Sequence, residues 1–251
     1  MRSRRGMGLA ELLVSLALGA VILAAVTRGL VQQVRLQRDR TAQARADEIV
    51  REVHEVLRAE VNHAAGTVAV LGDTALDLAS LRLFARACDH DAARLIVSAS
   101  EAWWSPARAG DSLALVDTSL HAEWRATIAA VGTQQASASC PAGGTRLLLG
   151  AVVPTTVPAL AVPVRVWRVV RYTQYRAGDG TWWFGERSCT PTCGAAQPIA
   201  GPLAPPVQRG LELRIVPRAD GRTLAVDVAV RTSVAGRKSE RAARLPVGPA
   251  P

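Results

Sequence analysis

The sequence predicts an α+β chain: a long N-terminal helix, half membrane-spanning and half amphipathic, packed on an antiparallel β-sheet head. Three observations carry this. Residues 7–27 form one apolar run long enough to cross a bilayer. Residues 28–65 continue without proline and turn amphipathic. After Gly66 the texture changes to short β-like runs separated by Gly and Pro clusters. Four segments follow: a leader at 1–6, a transmembrane helix at 7–27, a stalk at 28–65 and a β-rich head at 66–251.

The bulk numbers fit that plan. The chain has 251 residues, 49% hydrophobic and 20% charged, which suits a folded protein and excludes general disorder. The net charge is +9, but past the first five residues the arginines are scattered and form no basic block. That charge permits a nucleic-acid or anionic-membrane partner without locating a groove for one.

The leader, MRSRRG, holds Arg2, Arg4 and Arg5 and no acid. The run MGLAELLVSLALGAVILAAVT has Glu11 as its only charge. At about 1.5 Å per residue a helix of this length covers a hydrocarbon core of about 30 Å. A secretory signal would have a shorter apolar stretch followed by a small-residue cleavage site, and no such site is clear here. A plain anchor explains the length but not the glutamate. A carboxylate inside a membrane helix costs about 2.5–3.5 kcal/mol on insertion scales, so it points to a function. The arginines do not settle orientation, because Arg28, Arg35, Arg38, Arg40 and Arg45 follow the span.

Leader, glutamate and apolar run stand in a fixed register that resembles the processing signal of type IV pilins and type II secretion pseudopilins. The resemblance implies cleavage after Gly6 by prepilin peptidase and methylation of the new terminus, Met7. Glu11 becomes the fifth mature residue, and its carboxylate meets the N-terminal amine of an adjoining subunit in the filament. It also implies a leader in the cytoplasm, a head outside, and final residence in a pilus or pseudopilus. The implied partners are other minor and major pilins or pseudopilins, the peptidase, the inner-membrane assembly platform and membrane lipid. Met7 departs from the phenylalanine common at the first mature position, and Ala10 is smaller than the usual aliphatic residue. Arg28 stands where major pilins often carry a kinking proline, which implies a straight stalk and a minor subunit.

In the stalk, Ile49, Val53, Leu57 and Val61 recur at spacing four and predict a stripe that carries a sheet. Glu60 falls beside that stripe, so its carboxylate must reach out or find a partner. Ala64-Ala65-Gly66 is expected to end the helix. Strands are expected at 67–71, 81–86, 94–98, 112–116, 122–131, 165–176, 181–187, 210–216 and 223–231. The turns AGDG (177–180) and ADG (219–221) predict hairpins. Residues 141–144, 154–163 and 201–206 read as loops. Much of the last eighty residues resembles the head of J- or W-type minor pilins: a hairpin, a proline-containing connector, then two closing strands. Residues 72–164 resemble nothing named.

Four cysteines remain. Cys189 and Cys193, in CTPTC, suit a tight disulfide of about 2 kcal/mol. Cys88 and Cys140 are candidates for a second bridge, with free thiols or a shared zinc site as alternatives. His54, His63, His90 and His121 match no zinc or nucleophile motif, and CDHD (88–91) reads as a polar loop before a metal site. Asp179 and Asp220 read as turn residues. Trp103-Trp104 and Trp182-Trp183 should each place one ring in the core and one at a partner surface. No catalytic residue, metal ligand or cofactor is expected. The chain reads as a structural subunit, with a DNA-uptake binding module or an anchored envelope enzyme as alternatives.

Overall fold

A computed structural model describes residues 8–98, 106–117, 122–153, 162–190, 192–218 and 224–247. The helix α1 spans Leu9–Asn62 without a break, about 80 Å at the ordinary rise per residue. It contains no proline, and Arg28 continues it where a proline would bend it. The chain turns at His63 and enters β1, Ala64–Leu71. The helix therefore stops before the Ala64-Ala65-Gly66 expected to end it, because those residues already belong to a strand.

The remaining strands are β2 (Ala75–His90), β3 (Arg94–Ser98), β4 (Ser112–Asp117), β5 (Ala122–Gln134), β6 (Gly144–Leu149) and β7 (Pro163–Arg176). They are followed by β8 (Trp182–Ser188), β9 (Gln197–Leu203), β10 (Leu211–Pro217), β11 (Leu224–Val234) and β12 (Arg237–Pro246). Every expected strand lies within or against one of these. The strands β6, β9 and β12 were not expected, and β9 takes residues 201–203 out of the predicted loop.

Two long strands organise the head. Along one edge β2 pairs with β7 from Ala75↔Thr173 to Arg86↔Pro163. Along its other edge β2 pairs first with β1 and then with β3. Likewise β7 pairs on its far side with β4 and then with β8. The lower halves close a ring, β2-β3-β6-β5-β4-β7, a six-stranded antiparallel barrel. The upper halves belong to an open sheet, β1-β2-β7-β8-β9, beside a three-stranded sheet, β10-β11-β12.

One face of β7 serves both halves. Val164 and Val166 point into the barrel, packed with Leu83, Leu113, Ile128 and Leu147. Val170 and Tyr172, two and four residues beyond Arg168 on the same face, join the core under α1 with Val53, Leu57, Leu213 and Val228. Between the cores sits Arg168, whose Nε donates to Asp111 Oδ1 at 2.6 Å and whose Nη2 donates to Asp111 Oδ2 at 2.7 Å and to the Pro106 carbonyl at 3.1 Å. Both side chains are almost fully buried. The barrel is thus a second core set into the region that resembled nothing named.

The edges are protected in ways that hid them. The long edge strand β12 is covered by α1: His54 Nε2 lies 3.0 Å from the Arg241 carbonyl, and Gln43 Nε2 donates to the Lys238 carbonyl at 3.5 Å. The edge strand β9 carries Pro198 and Pro202, tolerated where no neighbour needs the N–H.

Candidate assembly helix and its head

Gly6 and Met7 lie outside the described residues, and α1 begins two residues later. The Leu12 N–H donates to the Gly8 carbonyl at 3.3 Å, closing the first turn. Glu11 falls in that turn, where the unpaired N–H groups of the helix favour a negative charge. Its side chain is outside the described part of the structure.

From Leu12 to Val26 every large apolar side chain is 52–68% exposed. Nothing in the described part of the head covers them. The two hydroxyls between Leu12 and Thr27 turn back on the helix: Ser15 Oγ donates to the Leu12 carbonyl at 3.0 Å and Thr27 Oγ1 to the Leu23 carbonyl at 2.8 Å. No hydroxyl is left to face lipid unpaired. This segment is long and apolar enough to cross a membrane, and with the prepilin-like start it is consistent with a membrane-anchored protein.

The second half of α1 is docked. Ala46, Ile49, Val50, Val53, Leu57 and Val61 are buried against the sheets, as the four-residue spacing predicts. Glu60 lies near the Tyr172 hydroxyl, which donates to Glu186 Oε2 at 3.3 Å. Burial first, and then these two carboxylates, push the Tyr172 pKa well above its ordinary value. Burial lowers the pKa of His54, and the cations Arg241 and Arg58 act in the same direction against its hydrogen bond to the Arg241 backbone. His54 Nδ1 has no hydrogen-bond partner among the described residues, so a proton there would be buried without an acceptor.

The cysteines form two disulfides. Cys88 is bonded to Cys140, with Cα atoms 5.4 Å apart, and ties the β5–β6 connection to β2. Cys189 is bonded to Cys193 across the tight turn after β8. The zinc and free-thiol alternatives are thereby removed, since the described cysteines have no free sulfur. Among the described residues no group of three or more His, Cys, Asp or Glu could hold a metal ion. In CDHD, Cys88 is bridged and Asp91 shapes the β2–β3 turn, accepting from the Ala93 N–H at 3.1 Å and pairing with Arg94 at 2.9 Å.

Asp179 closes the AGDG turn: its Oδ1 accepts from the Thr181 hydroxyl and N–H, which hold its carboxyl below the usual range. Gly180 has φ +85°, which suits glycine there. Asp220, His121, Trp103, Trp104 and the ADG turn lie outside the described residues, but β10 and β11 pair in register up to Pro217↔Leu224. Trp182 is partly buried against the first core. Trp183 lies over Gly201 so closely that an added Cβ would sit 2.8 Å from its ring, so both rings are engaged within the head.

Sequence reasoning missed Gln174, buried on β7. Its Nε2 donates to the Ala204 carbonyl at 2.6 Å and its Oε1 accepts from the Leu211 N–H at 3.1 Å, clamping the proline-containing connector at both ends. The only signal was a polar residue at an inward position of an otherwise alternating strand. The Arg168–Asp111 pair was equally silent, its partners being 57 residues apart.

Comparison with known proteins gives one match, to the family described as the prokaryotic N-terminal methylation motif, over residues 1–27. No curated protein and no solved structure matches the chain. A motif of this kind implies association with prepilin peptidase and with other pilins in general. The methylation motif and the long apolar helix that carries it, set on an antiparallel head, fit a type IV pilin-like protein.

Proposed function

We propose that the chain is a structural, non-catalytic minor pilin or pseudopilin. In this reading it is cut after Gly6, methylated at Met7 and built by α1 into a type IV pilus or type II secretion pseudopilus, in a tip or priming complex. The observation that carries the proposal is the register of Gly6, Met7 and Glu11 at the head of an apolar helix that the other described residues leave uncovered. Glu11 and a free N-terminal amine are each costly in hydrocarbon. They offset one another when subunits stack, which makes assembly depend on prior cleavage. The unbroken helix through Arg28 supports a minor subunit.

Glu11→Ala tests this. Filament incorporation should be lost while the head keeps its fold and both disulfides. Normal incorporation of that variant would remove the pairing model.

A second reading, an anchored module binding an extracytoplasmic ligand such as nucleic acid, draws on the outer barrel face. There Arg165 lies over the exposed ring of Phe84, 5.8 Å from its centroid, and Arg125 over Trp167 at 5.5 Å. Aromatic rings interleaved with arginine can stack bases. Salt-sensitive retention of a single-stranded oligonucleotide, lost in Phe84→Ala, would support it. Absence of binding at low salt would end it.

A further inference from the structure

Tyr172 and Phe184 point from β7 and β8 into the core under α1. Side chains alternate along a strand, so Tyr175 and Trp183 point the other way, onto the outer face of the sheet. The two stand directly opposite one another on β7 and β8. Each leans over a glycine. A Cβ added at Gly201 would sit 2.8–3.2 Å from three carbons of the Trp183 indole, so that ring lies across β9 by its face. A Cβ added at Gly185 would meet the Gln197 carbonyl and, at 2.6 Å, Tyr175 Cε1. Only glycine leaves room for rings this close to the backbone. The hairpin holds the indole in place: Trp183 Nε1 donates to Thr181 Oγ1 at 2.7 Å, and that hydroxyl donates to Asp179 Oδ1 at 2.6 Å. Both rings remain half-buried, packed on the strands from one side and open to solvent on the other.

A cation stands next to this platform. Arg171 and Arg187 are cross-strand neighbours on the same outer face. Asp77 takes Arg171 through two hydrogen bonds of 2.7 Å. Arg187 makes no ion pair among the described residues, and its buried Nε has no hydrogen-bond partner. It lies two residues beyond Gly185, about 7 Å along the strand from the glycine that Tyr175 covers.

We infer that this platform binds an acidic polysaccharide, with a uronic acid as the recognised unit. The C–H face of a pyranose ring is apolar and covers an aromatic face, while its hydroxyls stay at the rim in water. A uronate carries its carboxylate on the same ring that stacks. A sugar on Tyr175 and Trp183 therefore presents that carboxylate one short step away, where Arg187 can donate to both oxygens. A nucleotide fits this spacing less well, because the ribose separates its stacking base from its charge. The glycine contacts and the Thr181 bond fix the platform before any ligand arrives, so little ordering opposes binding. The net charge of +9 draws a polyanion toward the chain from a distance. The site belongs to the head alone and holds whether or not the chain enters a filament.

The test titrates the full chain in detergent, at low salt, with a galacturonate hexamer and with a neutral galactose hexamer. Tryptophan fluorescence and calorimetry read the binding. The uronate should bind more tightly than the neutral sugar. Arg187→Gln should weaken the uronate about tenfold and leave the neutral hexamer unchanged. Tyr175→Ala should weaken both about tenfold. Arg187→Gln disturbs no core contact, and both variants keep the indole on Gly201, so their unfolding midpoints should stay close to that of the parent chain. Four results would overturn the site: no uronate binding, equal binding of the two hexamers, uronate binding indifferent to either substitution, or tighter binding of a single-stranded oligonucleotide that the same substitutions abolish.

Discussion

The two halves of α1 are one unbroken helix with opposite relations to the rest of the chain. In the first half, Leu23 and Val21 are 68% and 67% exposed. In the second half, Val53, Leu57 and Val61 are wholly buried. Each buried leucine contributes about 1.5–3 kcal/mol to the head. Each exposed one contributes nothing until lipid or another subunit covers it. The difference teaches that the segment that stabilises the head and the segment left for an outside partner are separate, so variants in one half can leave the other intact.

A parallel contrast exists within the head, between the barrel and the sheet under the helix, with the buried Arg168–Asp111 pair at their junction. The largest effect is expected there. Asp111→Ala strands a buried guanidinium and should destabilise the head by about 3–5 kcal/mol. Chemical unfolding of the full chain in detergent, followed by tryptophan fluorescence, reads this. A change below 1 kcal/mol, about the worth of an exposed pair, would mean that water already solvates the junction.

The comparison between the helix halves sharpens with two matched truncations. Leu57→Ala should cost about 2–5 kcal/mol of head stability. Leu23→Ala should leave the same unfolding curve within about 0.5 kcal/mol and act only on incorporation. Equal effects of the two would erase the distinction.

A smaller effect comes from His54. Its folded pKa is lowered by burial, so the unfolded chain binds the proton more readily. The stability it supports is therefore complete above the unfolded value of about 6.5 and is lost as pH falls from there toward the folded pKa. His54→Gln should flatten that step in a pH series of unfolding midpoints. An unchanged slope would move the titration to another group. Smallest of all, Arg51→Ala removes an exposed pair with Glu55 and should change stability by less than about 0.5 kcal/mol.

How much of this was legible follows from the range of each interaction. The stripe of α1 is local, and four-residue spacing discloses it. The strand β7 alternates cleanly, and the AGDG turn names its own hairpin. The charge-rich β12 and proline-bearing β9 lack the apolar alternation of central strands because edges are protected by those same residues. The strand β6 follows a Gly-rich turn and offers only a short Leu run. Barrel closure depends on β2 and β7 changing partners midway, with a register shift between Leu81 and Leu83, and local pattern carries no trace of it. The candidate site was the reverse case. Its glycine, glutamate and apolar run are contiguous, so their register is legible directly along the chain, whereas Gly6 and Met7 lie outside the described residues.

The most direct test of the account is the mass of the N-terminal peptide from protein taken from its own membrane. The account predicts a chain that begins at Met7, lacks residues 1–6 and carries one added methyl group. A chain that still begins at Met1 would leave Glu11 without an amine to meet and would contradict the account.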